Sequence, residues 1–130
     1  MYFLDTNTLI YFFKGMGNVA DNLFAKKPDQ IALPAVVYYE LLVGIAKSDR
    51  SGKRQSQLNE LVSLVTFFPF GEREAQASAQ IRARLEKTGT PIGPTDILIA
   101  GTALGNQGVL VTHNIGEFQR VQQLAIEDWY

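Results

Sequence analysis

The side chains best placed to do chemistry are oxygen donors that follow short apolar runs. Asp5 ends the run Met1–Leu4, and Glu40 lies about two helical turns beyond Ile31-Ala32-Leu33. Asp96 opens a segment that feeds Val109–Thr112, and Asn114 and Glu117 follow that last run. Runs of this kind read as strands, and in an open parallel sheet ligands bind beyond the strands' carboxyl ends. Separate stretches of chain thus deliver oxygen ligands to one sheet edge. Carboxylates gathered there repel one another and raise each other's pKa unless a cation neutralises them. The chain has no cysteine, and its one histidine, His113, lies outside any paired spacing. An oxygen-only donor set selects a hard ion, Mg²⁺ or Mn²⁺, over zinc. Such an ion lowers the pKa of a bound water and stabilises charge on phosphoryl oxygens, which is the chemistry of phosphodiester hydrolysis. The competing reading is that these acids only cap helices or face solvent.

Asp96 is where the two readings separate most sharply. It sits in Pro91-Ile92-Gly93-Pro94-Thr95-Asp96-Ile97-Leu98-Ile99-Ala100, between a Pro/Gly turn and an apolar run. Pro94 suits the first turn of a helix, because its missing N–H would have no partner there anyway. Thr95 and Asp96 then occupy the opening turn, where unpaired amides and the dipole favour a carboxylate. The residues that follow are apolar over much of the circumference, so the helix is expected to be buried. A carboxylate at the mouth of a buried helix costs energy unless a cation or hydrogen-bond donor meets it.

The elements that must hold these residues are short strands alternating with helices. Strands are expected at Met1–Leu4, Ile31–Leu33, Val65–Phe68, Val109–Thr112 and, weakly, Leu124–Ile126. Helices are expected from Asp5–Asn7 to Lys14-Gly15, from Asn18 or Asp21 to Lys26, and from Pro34 through Ala46. Further helices are expected near Gln55–Leu64 and from Glu72 to about Lys87, the latter with Ala77, Ile81 and Leu85 on its inner face. The segment opened by Pro94 and a turn around Ile115–Phe118 complete the set. This alternation argues for a parallel sheet covered on both faces.

With 130 residues the chain reads as one domain, large enough for a real core. Its 46% hydrophobic and 19% charged content is ordinary for a globular protein. Twelve Lys+Arg against 13 Asp+Glu give −1 with His neutral, so any basic surface must be local. No apolar run approaches the ~20 residues of a spanning helix, and no leader is seen ahead of Tyr2. A cytoplasmic location without membrane contact is expected.

Four motifs resemble those of PIN-domain ribonucleases, most closely the VapC-type toxins of bacterial toxin–antitoxin pairs. They are Leu4-Asp5-Thr6-Asn7, Tyr39-Glu40-Leu41-Leu42-Val43-Gly44, Ile92-Gly93-Pro94-Thr95-Asp96-Ile97-Leu98-Ile99-Ala100, and Val111-Thr112-His113-Asn114-Ile115-Gly116-Glu117-Phe118. They stand in family order over nearly the whole chain. The resemblance implies a single domain over 1–130, a three-layer α/β/α fold with a five-stranded, mainly parallel sheet. It implies a Mg²⁺- or Mn²⁺-dependent endoribonuclease acting on RNA, with tRNA among the substrates. A cognate antitoxin whose tail occupies the active-site groove, and a homodimer, are implied too.

Carried over, the catalytic and metal-binding acids are Asp5, Glu40 and Asp96. The fourth family position, often Asp, is Asn114, which keeps an oxygen but loses a charge; Glu117 stands where the family often has an acid before Phe, and is expected to replace part of it. Thr6 is expected to hydrogen-bond the acids or their waters, and Asn7 to cap the first helix.

Several other features divide between a role in the reaction and an ordinary one. His113 could touch a substrate phosphate, or be a loop residue without a part in it. Lys47, Arg50, Lys53 and Arg54 could grip RNA backbone, or form a solvated flexible loop. Tyr11, Phe12, Phe13, Tyr38 and Tyr39 exceed what two helices need for packing, so an exposed subset is expected to form a groove for an antitoxin helix or a second copy. A DNA nuclease on the same scaffold is disfavoured, since 130 residues leave no room for added DNA-binding elements. A phospho-receiver domain would need a lysine ending a late strand, and Val111-Thr112-His113-Asn114 supplies none. A PIN scaffold that only binds a partner remains open, because of Asn114.

Overall fold

Five short strands, all running the same way, form the sheet: β1 Tyr2–Leu4, β2 Ile31–Pro34, β3 Thr66–Phe68, β4 Val109–Val111 and β5 Ala125–Glu127. The computed structural model describes residues 1–130. The strand order is β3-β2-β1-β4-β5, so every neighbouring pair is parallel rather than most of them. Parallel pairing demands crossover connections, and seven helices provide them. They are α1 Thr6–Lys14, α2 Val19–Phe24, α3 Ala35–Ala46, α4 Ser51–Leu64, α5 Glu72–Lys87, α6 Pro94–Gly105 and α7 Ile115–Phe118. The chain steps outward from β1 to β3, then crosses back to place β4 on the other side of β1. Right-handed crossovers in opposite directions put the two sets of helices on opposite faces, giving three layers.

The central strands β1, β2 and β4 bury both faces, as their apolar runs require: Phe3, Leu4, Ile31 to Leu33, Leu110 and Val111 are all nearly inaccessible, while the edge strands β3 and β5 are largely exposed. The reversal of strand order falls between β1 and β4, where Leu4 pairs with Val111. Asp5 and Thr112, the next residues, are therefore neighbours at the carboxyl edge.

α1 starts at Asp5, whose carboxylate accepts the Thr8 N–H, so Asp5 rather than Asn7 is the cap; Asn7 lies one residue inside the helix, exposed. The helix stops at Gly15, whose φ of +68° is the left-handed conformation favouring glycine. α4 starts four residues earlier than its apolar pattern indicates. The Ser48 hydroxyl accepts the Arg50 N–H at 3.0 Å and turns the chain, and Arg54 N–H to Arg50 O closes the first helical turn. Lys53 and Arg54 are thus helical rather than part of a flexible loop.

α5 turns inward the stripe Glu74, Ser78, Ile81 and Leu85, with Ala77 only half-buried. Gly101 of α6 lets the two helices meet closely there, since a Cβ on it would stand 1.9 Å from Ser78 Oγ. α6 has Gly93 as its cap, Pro94 in its first turn and a fully buried centre from Ile99 to Ala103.

Candidate active site

The sheet edge beyond β1 and β4 collects the acids. Asp5 is 5% exposed and has both carboxylate oxygens engaged. Thr8 N–H donates to Oδ1 at 2.9 Å, and the buried Thr112 hydroxyl donates to Oδ2 at 2.6 Å. Thr112 Oγ1 in turn accepts the Asn114 N–H at 3.0 Å, so one hydroxyl ties the first acid to the loop after β4. Thr112 was not among the site residues expected from the sequence. Its cue was a polar residue ending the apolar run Val109-Leu110-Val111.

Glu40 reaches the same edge from α3, half-buried, and the Thr6 hydroxyl donates to its Oε1 at 2.5 Å. Thr6 is the first residue of α1, so the start of one helix orients the acid of another. Asp96 is half-buried in the first turn of α6 and makes no capping bond, which removes capping as its explanation. Burial, then the negative charges of Glu117, Asp5 and Glu40, raise its pKa to about 6. Glu117, half-buried on α7, also lies within hydrogen-bond reach of Asp96. Two carboxylates that close are held together only by a shared proton or an intervening cation.

No basic side chain relieves this charge. The ion pairs of the molecule are Arg82–Glu86 and His113–Asp128, and neither involves the four acids. The donors are all oxygens, the chemistry that Mg²⁺ or Mn²⁺ accepts, so the site fits a hard divalent cation. As the side chains stand, no three carboxylates converge tightly enough to ligate one ion together. Asn114 is exposed, at the start of α7.

The remaining candidates disperse. His113 turns away from the acids: its Nδ1 lies 3.0 Å from Asp128 Oδ2, and its ring stacks on Tyr130 with centroids 4.3 Å apart. Burial raises the Asp128 pKa, but the Tyr130 N–H and His113 outweigh it and leave the acid below its usual range. Lys47, Arg50 and Lys53 are exposed. Arg54 alone of that basic run lines a cavity that Glu40 also lines.

Of the aromatic residues, Tyr39 is 63% exposed, and Phe12 and Phe13 enter a second groove of about 450 Å³ between α1, α2 and α4. The strongly exposed Phe24 and Leu64 line that groove too. The acids Asp21, Asp29, Asp49, Glu60 and Glu86 are all at the surface. No helix is long and apolar enough to cross a membrane.

A family model described as PIN domain matches residues 2–124. The chain is 34% identical over 131 residues to a "Ribonuclease VapC2" of Rickettsia felis, covering 99% of this chain and 98% of that protein. It is 33% identical to a "tRNA(fMet)-specific endonuclease VapC" of Salmonella typhimurium, covering 98% of this chain and 97% of that one. Among solved structures, the crystal structure of VapBC2 from Rickettsia felis bound to a DNA fragment from its promoter superimposes with a TM-score of 0.92. The identity there is 34%, over 99% of this chain and 98% of the other.

Proposed function

The chain belongs to the PIN-domain family, with VapC ribonucleases as its relatives, and from that premise we propose that it is a metal-dependent endoribonuclease, the toxin of a toxin–antitoxin pair. The observation that carries this reading is Asp96 under the negative charges of Glu117, Asp5 and Glu40 at one sheet edge, with no ion pair to any of the four.

Asp5, Asp96 and Glu40 are the residues that would hold Mg²⁺, or Mn²⁺ in its place, once their side chains close on it. When bound, such an ion offsets charge on phosphoryl oxygens and makes water a better nucleophile at neutral pH. Asp5 is fixed by Thr8 and Thr112, so it presents its charge at one position rather than sampling rotamers. Glu40 has Oε1 occupied by Thr6, which leaves Oε2 to orient the attacking water and take up its proton. Glu117 supplies the charge that Asn114 lacks.

The substrate is RNA, with initiator tRNA first among candidates, a reading supported by the likeness to the tRNA(fMet)-specific endonuclease of Salmonella typhimurium. Its cleavage would arrest translation, in the cytoplasm. A cognate antitoxin covers the apolar groove of Phe12, Phe24 and Leu64, a reading supported by the likeness to a VapBC complex. A homodimer completes the assembly.

The test is incubation of the purified protein with total tRNA and ribosomal RNA in Mg²⁺, Mn²⁺ or EDTA, beside Asp96→Asn. Discrete fragments that need metal and vanish in the variant are expected. Their absence from folded, partner-free protein would overturn the reading. A second reading, a scaffold that only binds its partner, is favoured by Asn114 and by the lack of three converging carboxylates; antitoxin binding without any cleavage would select it.

A further inference from the structure

Beside the acids lies a second feature that metal-dependent hydrolysis does not use. A cavity of about 210 Å³ opens between α1, α3 and the start of α4. Phe13, Leu41 and Ile45 give it an apolar wall, Lys14 and Arg54 give it two cations, and Glu40 of the acidic site lines it as well. Its volume lies below the roughly 300–1,000 Å³ of drug-sized ligand sites, so it suits one ring system rather than an extended molecule.

The cations are free for a ligand. Neither Lys14 nor Arg54 has a carboxylate within ion-pair distance. Arg54 is nevertheless oriented: its Nη1 donates to Gln57 Oε1 at 3.1 Å, and Gln57 Nε2 donates to Phe13 O at 3.4 Å. This short relay ties the guanidinium of α4 to the aromatic residue of α1.

An occupant that matches all three properties carries a flat apolar ring and an anion, and reaches Glu40 at the same time. We infer that this cavity is a nucleotide subsite for single-stranded RNA next to the scissile bond, with the base against Phe13 and an adjoining phosphate on Lys14 and Arg54. It rests on the ribonuclease reading above and adds to it where the neighbouring nucleotide is held. Phosphate recognition by a guanidinium fork is geometrically selective, whereas an ammonium acts as a point charge, so Arg54 fixes register and Lys14 adds attraction. Lys47, Arg50 and Lys53, outside the cavity, are left without a specific contact.

The test uses the full chain and a short end-labelled single-stranded RNA. Binding is followed by anisotropy in EDTA across a salt series, and tRNA cleavage is followed separately in Mg²⁺. Lys14→Ala and Arg54→Ala are each expected to weaken binding about tenfold, the loss of one charge-assisted hydrogen bond. Each should also lower the slope of log affinity against log salt by about 0.7, which a merely structural role would not do. Arg54→Lys should keep the slope and lose part of the affinity.

Gly44 lines the same cavity and a Cβ on it meets nothing within 4 Å, so Gly44→Leu adds bulk at the cavity wall without a clash at the Cβ. That variant should raise KM for RNA with an unchanged or higher melting temperature, since leucine favours a helix over glycine. Wild-type binding with unchanged affinities and salt slopes in all variants would overturn the subsite, whether or not RNA is cut. Binding lost in the variants without cleavage by wild type would keep the subsite and overturn the nuclease. No binding of the single-stranded RNA by wild type would overturn the subsite, and the nuclease reading stands or falls on tRNA cleavage in Mg²⁺. Variants that lose only antitoxin binding would give the cavity to a polypeptide instead.

Discussion

Two acids at the starts of two adjacent helices, Glu74 of α5 and Asp96 of α6, are handled in opposite ways. Glu74 is 8% exposed, yet its pKa is lowered, first by the Gly71 N–H and then by the Asn106 amide. Those bonds are 2.8 Å each, one to Oε1 and one to Oε2, so both oxygens are satisfied within the fold. Asp96 is more exposed but has its pKa raised to about 6, because burial and three other acids act on it with no donor in return. The first acid stabilises a helix start; the second finds no donor within the fold, the state that the proposed cation would relieve. A perturbed carboxylate thus marks function by the sign of its shift and the identity of its neighbours, not by burial alone.

Exchanging each acid for a neutral residue should separate the two roles. Asp96→Asn and Asp5→Asn are expected to lower kcat on tRNA by at least 10²–10³, a scale typical of losing preorganised charge stabilisation. In EDTA, Asp96→Asn should be as stable as wild type or more so, because a repulsive charge has gone. Undiminished cleavage by either variant would break the assignment. Glu74→Ala should do the reverse. Loss of its capping interaction costs about 1–2 kcal/mol in a urea titration, with kcat within twofold of wild type. A large loss of kcat from Glu74→Ala would abolish the distinction.

The pH dependence sharpens the same contrast. The raised pKa of Asp96 means that metal-free folded protein binds more protons than the unfolded chain between about 3.8 and about 6. Stability therefore falls as pH rises through that window. The loss is on the order of 1 kcal/mol once solvent screening of this half-exposed group is allowed for. Asp96→Asn should flatten it, and added Mg²⁺ should reverse it by binding only the folded state. Glu74, lowered from 4.5, has the opposite sign: its stabilisation is present above that value and lost as pH falls through its folded pKa. Urea midpoints across pH, with and without metal, read both slopes.

What could be read ahead of the structure divides along similar lines. The three central strands were legible because each is a short apolar run that is largely buried, the edge strands β3 and β5 only from their weaker apolar runs, and the helices that carry Asp5, Glu40 and Asp96 follow from caps, Pro94 and periodicity. Glu74 was not legible as a buried acid because a carboxylate is ordinarily a surface residue, although its spacing to Ile81 and Leu85 puts it on the inner face of α5. The spacing Gly71 to Glu74, a cap and its third helical residue, was the available signal. Thr112 was missed because its partner Asp5 is 107 residues away in sequence and meets it only through the β1–β4 pairing. Arg54 looked like one of four equivalent loop cations, and only the early start of α4 singles it out. Local pattern therefore gives elements and their acids, while the hydroxyls and amides that decide each acid's state come from distant chain.

The smallest effect tests that last point. Thr6→Val keeps the shape of the side chain at the start of α1 and removes only the hydroxyl that holds Glu40 Oε1. Thr6 is half-exposed and contributes no cap, so the melting temperature should stay within a degree or two, as for a surface change of under about 0.5 kcal/mol. If Glu40 orients the attacking water, its free oxygen is useful only while the other is pinned. Freeing the carboxylate should then lower kcat about tenfold and leave KM for tRNA unchanged, since no contact with substrate is removed. Thr6→Ser, which restores the hydroxyl, should recover most of the rate. A Thr6→Val enzyme with wild-type kcat would mean that Glu40 acts without orientation, as one more charge around the ion, and so differs from Asp5, which is pinned at both oxygens.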